Sequence, residues 1–369
     1  MLALGAAACA SAVTPAALAT ERPVLASPSP HPSQTPEPPS PAPPSVPPLA
    51  PTATPTEAAT AAPTPTPTPP TITLLFTGDI NPGRCPAQRA LAAKDFTLPY
   101  QLVADRLRLA DITIGSLDGT ISDLATPAPC PLTMNLIGPA RSVEGLQFAG
   151  YDVLTTATNH ALDCGSLGWR CKGRSLDDTR RNLLGAGIQP VGTGDTSAEA
   201  RAPVFVERQG VRFAFLGVNA VTGENTWVTA TQPGTAPLSA QSLAEVEADI
   251  ARARSLADVV IVLPHWGVEY AAEPTADQRA WAAALVGAGA DLVIGNHPHL
   301  VQAVEGFPSG GVVAYALGNF VFDQGPKETR FGAVFEATFQ GRSLAHWQLL
   351  PVRIYDLYQP RWVAALPGH

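Results

Sequence analysis

ITLLFTGDIN (residues 72–81) is an apolar run that ends in a glycine, an aspartate and an asparagine. Such a run predicts a buried strand, with Asp79 at its carboxyl end. Three later clusters repeat this order and hold four of the chain's seven histidines: TATNHALDCG with His160, VIVLPHWGVEY with His265, and DLVIGNHPHLVQ with His297 and His299. Because ligands gather beyond the carboxyl ends of strands in α/β proteins, the pattern predicts a metal site.

Strand-like and helix-like runs alternate from Thr71 onward. The further predicted strands are DITIGS, YDVLTTAT, VRFAFLGVN, DVVIVLPH and DLVIGNH, and the predicted helices are LPYQLVADRLRLA, SLDDTRRNLLGAG, SLAEVEADIARARSLA and PTADQRAWAAALVGAGA. Fully apolar strands between helices indicate a sheet covered on both faces. The tail reads instead as successive antiparallel strands, in VQAVEGF, GVVAYALGNFVF, FGAVFEATFQ and AHWQLLPVRIYD. The sequence therefore predicts a mixed α/β domain, with a parallel region that carries the site and an antiparallel region beside it.

The segment before the domain is rich in proline, threonine, alanine and serine. Residues 23–70 hold 19 of the chain's 39 prolines. A segment of this composition buries too little apolar surface to fold and stays extended. We therefore predict a signal segment at 1–22, a disordered Pro/Thr-rich linker at 23–71, a folded domain at 72–357 and a tail at 358–369.

The first residues, MLALGAAACASAVTPAALA, are apolar and small, and they fit a secretory signal. Ala17-Leu18-Ala19 has the small-x-small form of a cleavage site, whereas Ala7-Ala8-Cys9 resembles a lipobox that would leave a lipid on Cys9. Both alternatives predict an exported protein, at the cell surface or outside the cell. Contact with a membrane is expected only through this N-terminal anchor.

Cysteine content and charge narrow the function classes. Cys85, Cys130, Cys164 and Cys171 are an even set in an oxidising compartment, which favours disulfides. Of the three possible pairings we favour Cys85 with Cys130 and Cys164 with Cys171; buried free thiols are the alternative. The absence of a CxxC spacing argues against a cysteine zinc site. A net charge of −8 without a Lys/Arg-rich block argues against nucleic acid as a partner.

The clustered residues have ordinary alternatives when each is taken alone. Asp79 is equally consistent with a cap, Asp118 in GSLDGTIS with a turn, and His265 with a buried core histidine. The pair His297-Pro298-His299 is more specific, because a proline-stiffened backbone places two imidazoles close together. Taken together, the residues predict metal binding.

Six motifs, GDINPGR, SLDGTIS, NHALDCG, HWGVEY, GNHPHLVQ and ALGNFVFDQ, follow one another in an order that resembles the CapA family. This family of poly-γ-glutamate capsule synthesis proteins belongs to the calcineurin-like metallophosphoesterase superfamily. The resemblance covers residues 72 to about 325 closely. It implies a four-layer α/β/β/α sandwich with mixed sheets and a site for two divalent metal ions (Mn, Fe or Zn).

By resemblance, six residues are metal ligands. Asp79 and His299 would bind the first metal, Asp118 would bridge, and the second metal would be held by Asn159, His265 and His297. His160 matches the position that protonates the leaving group in superfamily phosphoesterases. From the spacing, we expect Asp163 to hydrogen-bond to His160 and orient it.

Residues around these ligands receive supporting roles. Arg84, Trp266 and Tyr270 are predicted to bind substrate, although Arg84 also fits a solvated loop charge and the two aromatic residues also fit the core. The remaining motif positions are predicted to support the ligands by hydrogen bonds, with ordinary turn roles as the alternative: Glu269, Gln302, Asn319 and Asp323.

Three positions depart from the patterns of the resemblance. Asn81 stands where the superfamily usually has a histidine, Asp118 where the family has a glutamate, and Asn296 where the family often has a histidine. A metal site is thus better supported than phosphatase activity, since fold similarity does not establish activity.

The resemblance implies an exported metal-dependent hydrolase that acts in surface-polymer synthesis, export or release, on an anionic polymer or a phosphoester. The alternative is a non-catalytic accessory or polymer-binding subunit of a membrane synthase complex, with a vestigial or structural metal site. A TIM-barrel hydrolase is disfavoured by the antiparallel tail.

Overall fold

The computed structural model describes residues 68–124, 129–130, 134–165, 167, 171, 173–221 and 225–367. The predicted signal segment, including Cys9, and the linker up to residue 67 lie outside these residues. Among the residues described, no helix is long and apolar enough to cross a membrane.

Strands and helices alternate along the described part of the chain. The strands are β1 (Thr71–Ile80), β2 (Ile112–Leu117), β3 (Thr120–Ile121), β4 (Ile137–Gly138), β5 (Val153–Thr155), β6 (Gln189–Val191), β7 (Thr193–Gly194), β8 (Val204–Arg208), β9 (Val211–Asn219), β10 (Gly234–Thr235), β11 (Val259–His265), β12 (Leu292–Ile294), β13 (Val304–Gly306), β14 (Val312–Ala314), β15 (Asn319–Val321), β16 (Phe331–Gln340), β17 (Ser343–Tyr355) and β18 (Gln359–Trp362). The helices are α1 (Arg84–Ala93), α2 (Ala104–Leu107), α3 (Ser142–Ala149), α4 (Arg174–Gly185), α5 (Ser197–Ala200), α6 (Leu243–Arg254) and α7 (Ala276–Gly287), with 3₁₀ turns at Leu98–Tyr100 and Glu328–Arg330.

Two mixed sheets carry the fold. The first has the order β18-β17-β16-β1-β2-β5-β6, and β15 pairs with the carboxyl end of β1. Its strands β1, β2, β5 and β6 are parallel, and β16 to β18 are antiparallel. The second has the order β13-β14-β12-β11-β9-β8, in which β8 and β13 are antiparallel edge strands. Each sheet thus has a parallel region whose carboxyl ends meet at one edge.

Alternating side chains of the strands build three apolar layers. In β1, Leu74 and Phe76 point to the core between the sheets, whereas Leu75 points to the helices on the other side. The same alternation in β11 places Ile261 between the sheets and Val262 under α6 and α7. Helices α2 to α4 cover the first sheet and α6 and α7 cover the second. The predicted α/β/β/α four-layer sandwich is confirmed.

The tail differs from the sequence prediction in two places. The segment GVVAYALGNFVF is predicted as one antiparallel strand, but β14 is parallel to β12 in the second sheet and β15 is parallel to β1 in the first. The chain changes sheets at Gly318, whose φ of 67° permits the bend.

The end of the sheet also differs from the prediction. Strand β18 pairs with β17, so the sheet extends past the domain end that we predicted at residue 357. Asp356 and Leu357 form the hairpin turn with φ values of 53° and 63°. Hairpin turns with positive φ usually contain Gly, Asn or Asp at these positions. Because Leu357 occupies one of them, the sequence gives no clear turn signal there.

The favoured cysteine pairing is present in the structure. Cys85 and Cys130 form one disulfide, with a Cα–Cα distance of 4.5 Å, and Cys164 and Cys171 form the other, with 6.3 Å. The first disulfide anchors the start of α1, and the second closes a short loop directly after Asp163.

Candidate metal centre

Asp79 is positioned by three adjacent strands. It lies in register with Ser116 of β2 and Asn319 of β15, and the Ser116 hydroxyl donates to Asp79 Oδ1 at 2.9 Å. The backbone of Gly318 packs directly against the preceding residue, Gly78, where a Cβ would lie only 2.0 Å from the Gly318 carbonyl oxygen. The glycine before the aspartate is thus a packing requirement of this strand end.

His265 is delivered from the second sheet by β11. It is in register with Asn219 of β9 and bridges to Asn296. Because consecutive side chains of a strand point to opposite faces, His265 faces the site and Trp266 faces the helices. Trp266 is fully buried, and its Nε1 donates to the Tyr315 carbonyl at 2.8 Å. The prediction that Trp266 binds substrate is therefore wrong; it is a core residue.

The loop after β12 carries His297 and His299 in strained backbone conformations. Their φ values are 100° and 59°, a region that residues other than glycine rarely adopt. The His297 backbone N–H donates to Asp79 Oδ2 at 3.2 Å, which ties this loop of the second sheet to the first. The strained loop therefore places both imidazoles in the space between the two sheet edges.

The six predicted ligands converge. His265 Nε2 is 2.9 Å from Asn159 Oδ1 and 3.8 Å from Asp118 Oδ1, and His265 Nδ1 is 3.9 Å from Asp79 Oδ1. The rings of His265 and His297 are 4.8 Å apart, and His299 Nδ1 lies 3.4 Å from Asp79 Oδ2. All six are buried. Two donors on one cation at about 2.0–2.2 Å lie about 3 to 4 Å apart, so the separations of His265 Nε2 from Asn159 Oδ1 and from Asp118 Oδ1 suit a shared cation.

Several buried nitrogen and oxygen atoms of the cluster, each able to bind a metal, make no hydrogen bond of normal geometry to any described residue. They are both carboxylate oxygens of Asp118, His265 Nδ1, Asn296 Oδ1 and His297 Nδ1. Buried polar groups in native proteins almost always have partners, and an ion is one of the few explanations for a group of exceptions. Carboxylate, amide and imidazole donors are the types that bind Zn, Mn and Fe. The residues present therefore fit a divalent cation.

Without a cation the cluster has strongly perturbed acidities. Burial raises the pKa of Asp118 to about 6, with the charge of His160 acting against the shift. Burial and the neighbouring histidine charges lower the pKa of His265 well below its usual value and that of His297 to about 4. Burial lowers the pKa of His299, but Asp79 and Glu269 outweigh it and raise the value to about 10. Neighbouring groups with strongly raised and strongly lowered pKa values are typical of functional sites.

His160 forms the expected pair with Asp163. Its Nδ1 is 2.8 Å from Asp163 Oδ2, and that oxygen also accepts the Leu136 backbone N–H at 2.5 Å. Burial lowers the pKa of His160, but the charges of Asp118 and Asp163 raise it more, to about 9. The Asp163 backbone carbonyl accepts from the Thr120 hydroxyl at 2.7 Å. Asp163 thus ties His160 to the loop that carries Asp118.

Arg84 and Asp323 have roles different from those predicted. Both are buried, and they form an ion pair with each other. Asp323 also accepts from Asn81 Nδ2 at 3.0 Å and from the Cys85 backbone N–H at 3.0 Å. Asp323 therefore holds the loop after β1 rather than a metal ligand, and the Arg84 charge is compensated by Asp323 rather than solvated. Cys85 and Cys130 lie beside Asp323, but they are joined in a disulfide and offer no thiolate to a metal.

The other supporting residues divide between the site and its surroundings. Asn319 Oδ1 lies 2.8 Å from His299 Nδ1, as a supporting residue should. Gln302 instead bonds to Gln278 and to the Ala271 carbonyl, and touches no ligand through these bonds. Glu269 Oε1 lies 3.7 Å from His299 Nε2, and its interaction with His299 lowers the pKa of Glu269.

Tyr270 lies at the rim of the site. Its side chain is 48% exposed, and its ring is 6.2 Å from that of His299. Its hydroxyl accepts from Gln324 at 3.3 Å. Tyr270 therefore remains available to a substrate, whereas Trp266 does not.

Sequence reasoning missed Ser116 and the buried Oδ1 atom of Asn296. Ser116 precedes the SLDGTIS aspartate by two residues, and this spacing puts both side chains on one face of β2. The sequence identifies Asn296 only as a departure from the family pattern. Its buried Oδ1 is one of the atoms without a hydrogen bond to the described residues.

Comparisons with known proteins agree with the sequence resemblance. The family described as bacterial capsule synthesis protein PGA_cap matches residues 73–324, which is more than half of the chain. PGA biosynthesis protein CapA of Bacillus subtilis (strain 168) is 29% identical over 282 residues, covering 76% of this chain and 71% of that protein. Capsule biosynthesis protein CapA of Bacillus anthracis is 29% identical over 291 residues, covering 77% and 68%.

A solved structure is similar over a comparable length. NAD nucleotidase of Haemophilus influenzae aligns with a TM-score of 0.45 and 12% identity, over 80% of this chain and 60% of that one. The match of the family over the motifs that build the site decides the assignment. The chain belongs to the PGA_cap family of bacterial capsule synthesis proteins.

Proposed function

We propose that the protein is an exported, metal-dependent hydrolase that acts in the synthesis, export or release of an anionic surface polymer such as poly-γ-glutamate. The names of the two Bacillus relatives support the biological setting. The predicted signal segment supports action outside the cytoplasm, with membrane attachment through the N-terminus.

The observation that carries the proposal is the buried donor cluster between the two sheets. Asp118 is fully buried, and neither of its carboxylate oxygens accepts a hydrogen bond of normal geometry from the described residues. Burial raises the pKa of Asp118 to about 6 and outweighs the charges of His160 and His299 and the Thr158 hydroxyl, which favour its ionised form. A cation would compensate the remaining cost of this buried charge. In the proposal, two divalent cations are held by the six ligands Asp79, Asp118, Asn159, His265, His297 and His299.

Protein residues around the cluster supply the remaining chemistry. When bound, divalent cations polarise the scissile group and lower the pKa of water. Asp163 accepts the Nδ1 proton of His160, so His160 Nε2 is the nitrogen that would transfer a proton to the leaving group. Tyr270 at the rim would contact the substrate, which is an anionic polymer or a phosphoester.

A non-catalytic accessory subunit of a membrane synthase complex is the second candidate. It is favoured by Asn81, whose Nδ2 donates to Asp323 and whose Oδ1 accepts the Gly83 backbone N–H at 2.8 Å. Its amide therefore bonds to Asp323 and Gly83 and does not replace the missing histidine as a ligand. In this second candidate the metal site stabilises a polymer-binding domain.

Hydrolysis assays with a histidine variant separate the two candidates. The full chain is loaded with Mn²⁺, and release of products from bis-p-nitrophenyl phosphate and from poly-γ-glutamate is measured for the wild type and His160→Gln. His346→Gln is the matched control, because His346 is exposed on β17. The enzyme proposal predicts activity that falls about 100-fold or more in His160→Gln only, with Mn²⁺ content unchanged.

Two results would count against the enzyme proposal. One is activity that does not depend on His160. The other is a wild type that binds Mn²⁺ but hydrolyses neither substrate, which would favour the accessory subunit.

A further inference from the structure

The hydrogen bonds of Asn319 determine which nitrogen of His299 carries a proton. Asn319 Nδ2 donates to the Thr329 backbone carbonyl and to Gln324 Oε1, both at 3.0 Å. A backbone carbonyl only accepts, so the orientation of the Asn319 amide is defined. Its Oδ1, 2.8 Å from His299 Nδ1, is then the acceptor. His299 Nδ1 therefore carries hydrogen, and Nε2 is the nitrogen available to a metal.

His299 Nε2 faces a carboxylate. Glu269 Oε1 is 3.7 Å away, which is within the range of an ion pair with protonated His299 and is also the separation of two donors on one cation. The Glu269 side chain is 35% exposed, so it reaches the cluster from the solvent side.

The loop that carries Glu269 is held at both ends. The backbone N–H of Trp266 donates to the Asn296 carbonyl at 3.1 Å, and the backbone N–H of Tyr270 donates to the Pro298 carbonyl at 2.9 Å. Both acceptors belong to the loop that carries the paired histidines. Glu269 and His299 are therefore presented to each other by two loops that are bonded together, as a preorganised pair of ligands should be.

A carboxylate ligand from the Glu269 loop would compensate for the histidine that Asn81 replaces. The Asn81 amide is used by Asp323 and Gly83 and supplies no donor to the cluster through these bonds. We infer that Glu269 is a direct metal ligand, which shares a cation with His299 Nε2 and replaces the histidine missing at position 81. The inference rests on the metal site of the proposed function and adds a ligand to it.

Metal titration of matched variants tests the inference without an activity measurement. Mn²⁺ binding to the metal-depleted full chain is followed by isothermal titration calorimetry and by electron paramagnetic resonance, for the wild type, Glu269→Gln, Glu269→Asp and Glu273→Gln. Glu273 is the control because it lies four residues further along and its side chain is 84% exposed. Thermal unfolding in EDTA confirms that each variant is folded.

The expected result is two bound Mn²⁺ ions in the wild type and in Glu273→Gln. In Glu269→Gln the affinity for one of these ions falls at least about tenfold, and in Glu269→Asp it falls less. A folded Glu269→Gln variant that binds both ions like the wild type would overturn the inference and leave the proposed function standing. A folded wild type that binds no Mn²⁺, Fe²⁺ or Zn²⁺ would overturn both.

Discussion

Replacing Asp118 by asparagine should stabilise the metal-free protein while it destroys metal binding. Asp118 is fully buried, and its carboxylate accepts no hydrogen bond of normal geometry from the described residues. Burial raises its pKa from 3.8 to about 6. An amide of nearly the same shape removes the buried charge without leaving a cavity.

The pKa shift sets the magnitude and the pH range. A difference of about 2 pKa units corresponds to about 3 kcal/mol at about 1.4 kcal/mol per unit. Because the folded-state pKa is the higher one, the penalty is absent below about pH 4, grows as pH rises through the folded value, and is complete above about pH 7. For about 300 folded residues, about 3 kcal/mol corresponds to about 5 °C in Tm.

Thermal unfolding at pH 8 and pH 4, in EDTA and in Mn²⁺, measures these effects. In EDTA at pH 8, Asp118→Asn should unfold about 5 °C above the wild type, and at pH 4 the two should coincide. Mn²⁺ at about 100 times its Kd should stabilise the wild type by about 3 kcal/mol and leave the variant almost unchanged. Two outcomes contradict this expectation: an Asp118→Asn variant less stable than the wild type in EDTA at pH 8, or equal stabilisation of both by Mn²⁺.

Three further variants test other parts of the structure. Trp266→Phe should lower the free energy of unfolding by about 1–3 kcal/mol and leave Mn²⁺ affinity unchanged, since it removes a buried hydrogen bond; a calorimetric titration showing weaker binding would contradict its core role. Asn319→Ala should weaken Mn²⁺ binding about 10- to 100-fold by releasing His299, and unchanged affinity would argue against this support. The double variant Cys164→Ser/Cys171→Ser should lose about 2 kcal/mol of stability in urea unfolding with two ions still bound, whereas loss of an ion would show that the loop shapes the site.

The sequence predicted that the six candidate ligands lie together because each of them is at the end of a strand or shortly after it. Asp79 and His265 end β1 and β11, and parallel strands bring their carboxyl ends to one edge. Alternation within a strand also excludes Trp266 from the site once His265 is placed in it. The core role of Trp266 therefore follows from the same strand pattern that predicts the ligand.

Other features depended on contacts that no local pattern contains. Asp323 bonds to residues more than 200 positions away, so its role in holding Arg84 and Asn81 appears only in the folded chain. Glu269 was placed near the ligands by its motif, but its position opposite His299 Nε2 depends on two loops bonded to each other. The change of sheet at Gly318 depends on a positive φ, which the surrounding sequence does not indicate.

The proposed chemistry requires that the buried donor cluster bind metal. Crystals of the full chain grown with Mn²⁺ and measured at the manganese absorption edge would reveal any bound ion and its position. We expect two anomalous peaks between the sheet edges, within ligand distance of Asp118 and His265 and of their neighbours in the cluster. Well-ordered side chains there with no anomalous peak would contradict metal binding.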